Sequence, residues 1–259
     1  MSPSLLALLR FLDDLHERVE RTWWGAVVTD SRFPLLWEAN YAAVDAADPN
    51  LSLRDVREGL HPALREAGAT HEHLWLMEHE ATVRLVRELG AEGHALHWDS
   101  LMRHGPRAPV AAPAHRVEEV VDLDDSFWER ERLALREFGI IEPSVAEQLL
   151  RRQRDVAVPA GKRWFTVSEG GRVAGIGSMF VLEPVAYVDD VVTFPPFRRR
   201  GVARSIVGAM LREARAAGAD ETFLFADQPG PVRLYEGLGF EVLQRVATSL
   251  APLPEAREP

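Results

Sequence analysis

The run Thr193-Phe194-Pro195-Pro196-Phe197-Arg198-Arg199-Arg200-Gly201-Val202-Ala203-Arg204 puts three arginines directly ahead of a small-residue turn. A strand-like stretch, Tyr187 to Thr193, precedes it. After it, Val202, Ile206, Val207, Met210, Leu211 and Ala214 recur on one helical face. A helix start exposes unpaired N–H groups and the positive end of the helix dipole, so it attracts phosphate. Gly201 and Ala203 keep bulky side chains away and let a phosphate approach the backbone. The spacing Arg-x-x-Gly-x-Ala suits a pyrophosphate. Arginine clusters and short glycine motifs also occur on ordinary surface turns, so the surrounding elements carry the argument.

Those elements follow in order. Gly218 stands where a helix C-cap belongs, and Thr222-Phe223-Leu224-Phe225 reads as a second strand. A second helix passes through Val232, Leu234, Tyr235 and Leu238 and closes at Gly239-Phe240. A last strand runs from Glu241 to Leu250. This order resembles the GNAT acetyltransferase superfamily. The family's coenzyme loop, Arg/Gln-x-x-Gly-x-Gly/Ala, is matched by Arg198, Gly201 and Ala203. Its tyrosine ahead of Leu-Gly-Phe is matched by Tyr235 before Leu238-Gly239-Phe240. The resemblance covers the second half of the chain, from about His115.

The resemblance implies an α/β (α+β) fold with a mixed central sheet flanked by helices, and acetyl-CoA as cosubstrate without a metal. It implies that Val191, Val192 and Thr193 hold the pantetheine arm and polarise the thioester carbonyl. The amides from Arg199 through Arg200, Gly201, Val202 and Ala203 to Arg204 would cradle the pyrophosphate beside Arg198. Asp227 takes a place where the family often has asparagine touching the coenzyme; a helix cap suits it equally.

Amine attack on a thioester needs a held thioester, a neutral amine and a proton for the departing thiolate. Holding is the largest demand, contributing roughly 7–11 kcal/mol. Tyr235 is the candidate acid, since a phenol can lend a proton and carries no charge to repel a thiolate; a core aromatic is the plain alternative. For the base, strand alternation puts Asp189 and Asp190 on opposite faces. Asp189 shares a face with Val191 and Thr193, so it is the candidate base or ammonium anchor, with Glu183 as competitor. Every histidine lies at or before His115, so a histidine base would have to come from the first half. His71, His73 and His79 lack a completing carboxylate pattern, and no metal site is expected.

Composition bounds the class. The 259 residues, 46% hydrophobic, can form one large domain or two modest ones. With no cysteine there are no disulfides and no thiolate chemistry. The apolar Leu5 to Leu12 is short and interrupted by Arg10, so a helix is expected in place of a signal peptide. Nothing approaches a membrane span, and a cytoplasmic protein is expected. A net charge of −10 disfavours nucleic acid as partner and mildly favours cationic amines, small or peptide. Lys162 is the only lysine, which reads as a bias toward arginine and not as a clue to function. Oligomeric state is not legible.

The two halves look alike. Leu64-Arg65-Glu66, the strand-like His73 to Met77, and Val83-Arg84-Leu85 ending in Leu89-Gly90 parallel Leu211-Arg212-Glu213, Thr222 to Phe225, and Val232-Arg233-Leu234 ending in Leu238-Gly239. A duplication is favoured. Aligned this way, Leu51 falls at Arg198, Arg54 at Gly201, Val56 at Ala203 and Val86 at Tyr235, so the first copy has lost both loop and acid. The division expected is a degenerate GNAT-like domain over 1–105, a linker over 106–114, a catalytic domain over 115–252 and a disordered tail over 253–259.

Expected elements in the first half are a helix over Leu5 to Arg21, strands over Trp24 to Thr29 and Leu35 to Ala43, and a helix over Leu53 to Glu66. In the second half they include helices capped by Ser126 and by Ser144, the latter with a Glu147 capping box, and a hairpin turning at Gly170-Gly171. Trp23, Trp24, Trp37, Trp75 and Trp98 are expected in cores, and Trp128 or Phe138 near the acceptor. The favoured function is acyl transfer from acetyl-CoA to an amine by direct attack in a ternary complex. The alternative is a non-catalytic acyl-CoA-binding sensor or scaffold.

Overall fold

In the computed structural model, which describes residues 2–110, 112–227 and 229–255, the chain forms two compact units built from non-consecutive segments. The loop unit takes the chain up to Leu9 and Leu101–Leu243; the N-terminal unit takes Arg10–Ser100 and the chain from Gln244 onward.

In the loop unit, β6 (Val117–Val120) leads to helices α4 (Asp125–Glu137) and α5 (Pro143–Arg152), then a π-helical turn at Gln153–Ala157. The antiparallel pair β7 (Arg163–Glu169) and β8 (Arg172–Val181) turns at Gly170-Gly171, as expected. Next come β9 (Val185–Thr193), α6 (Val202–Ala216), β10 (Glu221–Ala226), α7 (Pro229–Glu236) and the start of β11 (Phe240–Pro252). The strand order is β6-β7-β8-β9-β10. Within that order β6 to β9 pair antiparallel and β9 and β10 pair in parallel, with Glu221 opposite Val185, and α6 makes the crossover between them. The apolar stripe of α6 (Val202, Ile206, Val207, Met210, Leu211, Ala214) is buried in one cluster with Phe165, Val167 and Met179. Close approach is possible because β8 carries Gly175 and Gly177. A Cβ at Gly175 would stand 2.6 Å from Val202 Cγ1, and one at Gly177 2.9 Å from Ile206 Cγ2.

Helix α1 (Pro3–Asp14) begins in the loop unit and ends in the N-terminal unit, which continues with β1 (Arg18–Thr22), β2 (Gly25–Thr29), β3 (Tyr41–Val44), α2 (Leu53–Glu66), β4 (His71–Met77), α3 (Glu80–Ala91) and the first part of β5 (Ala95–His104). β1 and β2 pair antiparallel, as do β2 and β3, while β3 and β4 are parallel with Ala42 opposite Leu74. Val56, Leu60 and Leu64 of α2 pack with Leu74 and Leu76 of β4 and Leu85 and Leu89 of α3. The later part of β11 completes this sheet, pairing antiparallel with β4 from Val246 opposite Met77 to Pro252 opposite His71.

Several local expectations are corrected. The helix expected to Arg21 stops at Asp14, because Arg18–Thr22 pairs with Gly25–Thr29 across the Trp23-Trp24 turn. The strand expected over Leu35 to Ala43 begins only at Tyr41, after a 3-10 turn at Trp37–Ala39. Buried Asn40 holds the preceding segment in turns: its Nδ2 donates to the Phe33 and Leu36 carbonyls, and its Oδ1 accepts from Asp30 N–H. Trp24 is buried, but Trp23 is 60% exposed and Trp37 half-exposed. Asp124, not Ser126, caps α4 by accepting from Phe127 N–H. α5 starts at Pro143 with Glu142 at its N-cap, and Glu147 pairs with Arg132 instead of closing a capping box. Of the expected disordered tail over 253–259, Leu253 donates to Thr70 O and packs on the N-terminal unit's core; residues 256–259 lie outside the described residues.

Candidate functional site

The expected phosphate loop is a helix start left open. Gly201 is the N-cap of α6 in the left-handed region (φ +84°), with no side-chain cap and no acidic residue in the first turn. A left-handed conformation costs a residue with a Cβ about 1–2 kcal/mol, so glycine fits there. Arg199, just before it, is itself left-handed (φ +63°). The arginines are fastened by neighbours. Arg198 Nε donates to Thr193 O (3.1 Å) and its guanidinium pairs with Glu137 at the end of α4 (2.5 Å). Arg200 pairs with Glu169 (3.2 Å), which also faces His115 Nδ1 (3.2 Å); His115 Nε2 lies 2.8 Å from Arg200 O. Arg204 donates to Gly237 O (2.8 Å), tying α6 to the end of α7. Ala203 adds no bulk to the first turn.

On β9 the structure departs from simple alternation. The β8–β9 register shifts between Ile176 and Ser178, so Asp190 and Val191 together face Gly177. This is a β-bulge, and Asp190 adopts φ +50° within it. The bulge brings Asp189 and Asp190 to one partner, overturning the expectation of opposite faces. Lys162 Nζ donates to Asp189 Oδ2 (3.0 Å) and Asp190 Oδ2 (2.6 Å). Ser178 Oγ also donates to Asp190 Oδ2 (3.0 Å), and Tyr187 OH points at Asp189 Oδ1 (3.5 Å). The ammonium is buried and lies 5.2 Å from the Trp164 ring and 5.6 Å from the Phe180 ring.

The electrostatics show one connected cluster. Burial works against the Lys162 charge, but the two aspartates win and hold its pKa above the ordinary value. Burial, then repulsion from Asp189, raises Asp190, with Lys162 opposing. Glu131 of α4 is buried at 1% exposure, and its Oε2 has no partner among the described residues. Burial, then the charges of Asp190 and Asp189, push it up to about 8, with Lys162 opposing. Sequence reasoning missed both Lys162 and Glu131. Glu131 sits among charged residues on an amphipathic helix, and Lys162 lies in the turn between the π-helical segment and β7. Only folding brings them to residues 189 and 190.

Tyr235, on α7, is buried in the core cluster. Burial, with Asp189 and Asp227 facing it, raises its pKa and keeps the phenol protonated. Asp227 lies just past β10 and is exposed. Val191 and Thr193 are half-buried and Val192 is buried, as the last residues of β9 before the loop. The competitor Glu183 is exposed and lies beside Gly218, beyond the C-terminal end of α6, away from the loop. Trp128 is buried against Phe127 with Arg154 over its ring; Phe138 is half-exposed at the C-cap of α4.

The corresponding helix start in the N-terminal unit is closed. Ser52 and Asp55 form a reciprocal capping box, and Asp55 adds a negative charge to the first turn of α2. His71 and His73 lie on β4, and the Nε2 atoms of His71, His73 and His79 are buried without partners among the described residues. No group of three or more metal-binding side chains stands together among those residues, and no described helix is long and apolar enough to cross a membrane.

A sequence model of the Acetyltransferase (GNAT) family matches residues 120–240, the segment holding the loop, the bulge and Tyr235. No curated protein matches the chain. Solved structures match nearly its whole length. A functionally unknown conserved protein from Staphylococcus epidermidis ATCC 12228 superposes with a TM-score of 0.75 at 13% identity, covering 92% of this chain and 94% of that one. A GCN5-related N-acetyltransferase from Kribbella flavida gives 0.65 at 18% identity, with 97% and 96% covered. A tandem GNAT protein from the clavulanic acid biosynthesis pathway gives 0.56 at 15% identity, with 92% and 82% covered. At these identities the likenesses speak for the fold, and the match of residues 120–240 speaks for the family. By sequence, residues 120–240 belong to the Acetyltransferase (GNAT) family, and the mixed sheet flanked by helices is the fold shared with these GNAT structures.

Proposed function

We propose that the chain is an acetyl-CoA-dependent N-acetyltransferase that transfers the acyl group to an amine by direct attack in a ternary complex. The observation that carries this reading is the uncapped start of α6, with Gly201 left-handed and three arginines ahead of it. Free amides, the helix dipole and cationic side chains converge there, which suits a diphosphate. The end of β9 at Val191, Val192 and Thr193 would take the pantetheine arm, and the bulge disturbs the β-ladder where a thioester carbonyl needs a donor.

The proton steps follow from the groups present. An acceptor ammonium loses a proton to Asp189 at Oδ1, since Oδ2 is the oxygen that Lys162 holds. The neutral amine attacks the thioester carbonyl, and the C–S bond breaks. The Tyr235 hydroxyl supports the departing thiolate by donating to it. Of the two protons that leave the nitrogen, one ends on the coenzyme thiol, the amide nitrogen replacing what Tyr235 gives, and the other is released through Asp189, so the reaction releases one proton overall. In this reading the N-terminal unit is a second GNAT-like copy without a coenzyme site. Its order β3-α2-β4-α3, with β3 and β4 parallel, repeats β9-α6-β10-α7, while the Ser52–Asp55 box consumes the helix start. Calorimetric titration with acetyl-CoA, followed by thiol release with a panel of amines, tests the proposal. Binding with turnover supports it. Binding without turnover on any amine supports the sensor reading, and absence of binding refutes both.

A further inference from the structure

The buried charge cluster is the feature of the loop unit that the coenzyme reading leaves unexplained. Two carboxylates (Asp189 and Asp190) bond one ammonium, and the buried Glu131 carboxyl feels the charges of all three. Lys162 takes Oδ2 of each aspartate, and Asp190 is further held by Ser178 and by its place in the bulge. Asp189 is the member whose side chain keeps appreciable exposure, at 35% against 3% for Lys162 and 19% for Asp190. Among the described residues, the hydrogen-bond partner of its Oδ1 is the Tyr187 hydroxyl, at 3.5 Å. The rings of Trp164 and Phe180 lie against the ammonium. On the α7 side the charges of Asp189 and Asp227 both bear on the Tyr235 hydroxyl, and Arg154 is held over Trp128.

A buried cluster resists net charge, because an uncompensated ion in an apolar setting is costly. With Glu131 carrying its proton, two aspartates and one lysine sum to one negative charge. Such a cluster has room for one proton, and geometry leaves Asp189 Oδ1 as the entry point.

We propose that Lys162 is a positioning residue of the acyl-transfer site: it immobilises Asp190 and one oxygen of Asp189, so that the cluster accepts a single proton, from the acceptor's ammonium, at Asp189 Oδ1. This inference rests on the acyl-transfer reading. It assigns the acceptor to amines that arrive as cations, since an uncharged acceptor would leave the cluster's negative charge unanswered.

The test follows kcat and KM for a cationic amine between pH 6 and 9.5 in the wild type, Lys162→Met, Lys162→Arg and Asp190→Asn, with acetyl-CoA affinity measured alongside. Removing the ammonium leaves two adjacent carboxylates that hold a proton more tightly. Lys162→Met should therefore move the acid limb of kcat/KM upward by about one pH unit or more, and lower kcat by about tenfold at pH 7. Asp190→Asn gives Asp189 sole use of the ammonium and should move the limb downward. Lys162→Arg keeps the charge and should keep the limb near its wild-type place. Acetyl-CoA affinity should stay within about twofold in every variant, since none touches the phosphate loop. If Lys162→Met does not fold, the downward shift in Asp190→Asn decides alone. Limbs that stay put while activity falls uniformly would reduce Lys162 to a structural ion pair and overturn the inference, with the acyl-transfer reading intact. A wild type that binds acetyl-CoA and acylates no amine overturns both.

Discussion

At the residue scale, Tyr235 and Glu131 make opposite demands on the fold. Tyr235 contributes burial as well as its hydroxyl, so Tyr235→Phe keeps the ring in place and isolates the proton. The expected result is a kcat lower by about a hundredfold, with acetyl-CoA affinity and melting temperature little changed; equal kcat would make Tyr235 a core aromatic only. Glu131 lowers stability where it stands. Its folded pKa of about 8 exceeds the unfolded value near 4.5, so its proton favours the fold below pH 4.5 and that advantage is lost as pH rises toward 8. Glu131→Gln keeps the shape without the ionisation. Its gain over the wild type should be absent near pH 4, grow with pH, and reach several kcal/mol, on the order of a few pKa units at about 1.4 kcal/mol each, by pH 8. Thermal melts of both proteins across that range check it; a pH-independent difference would mean that Glu131 ionises freely.

At the element scale, the two helix starts are the contrast to exploit. Ser52→Ala removes a cap and should cost about 1 kcal/mol of stability, without touching acetyl-CoA affinity; urea melts and a coenzyme titration read the two effects separately. A loss of coenzyme affinity there would place a second site in the N-terminal unit. Much of this architecture is legible in the sequence. The apolar periodicity of α2 and α6, the Gly170-Gly171 turn and the Arg198 to Arg204 loop all depend on neighbours close in the chain, and their elements formed where expected. Legibility failed where distant partners decide. Arg18–Thr22 reads as a helix continuation until Gly25–Thr29 pairs with it. Asn40 holds Asp30 to Ala39 out of the expected strand through bonds to residues four to ten positions away. The β9 bulge cancels the alternation on which the separation of Asp189 and Asp190 rested, and the cluster it builds draws Glu131 and Lys162 from elements 27 to 59 positions earlier in the chain. A one-residue register shift leaves no mark in composition or periodicity.

At the scale of the whole molecule, the two units should respond oppositely to acid. In the N-terminal unit, His73 is buried with its Nδ1 bonded to Trp37 O (2.8 Å), and burial lowers its pKa to about 4. A neutral buried histidine supports the fold above the unfolded value near 6.5. That support, up to about 3 kcal/mol, is lost as pH falls from 6.5 toward 4, while Glu131 gains in the loop unit over the same interval. Hydrogen exchange followed from pH 7 to pH 4.5 should show protection falling in β4 relative to β8 and β9; a uniform change would contradict the assignment. The most direct measurement for the whole account is a calorimetric titration of the chain with acetyl-CoA, repeated on Gly201→Asp. The account predicts about one equivalent bound per chain and, in the variant, affinity weaker by about tenfold or more, since a Cβ in the left-handed region and a carboxylate at the helix start both oppose the diphosphate. Two equivalents, none, or an unchanged affinity in Gly201→Asp would contradict it.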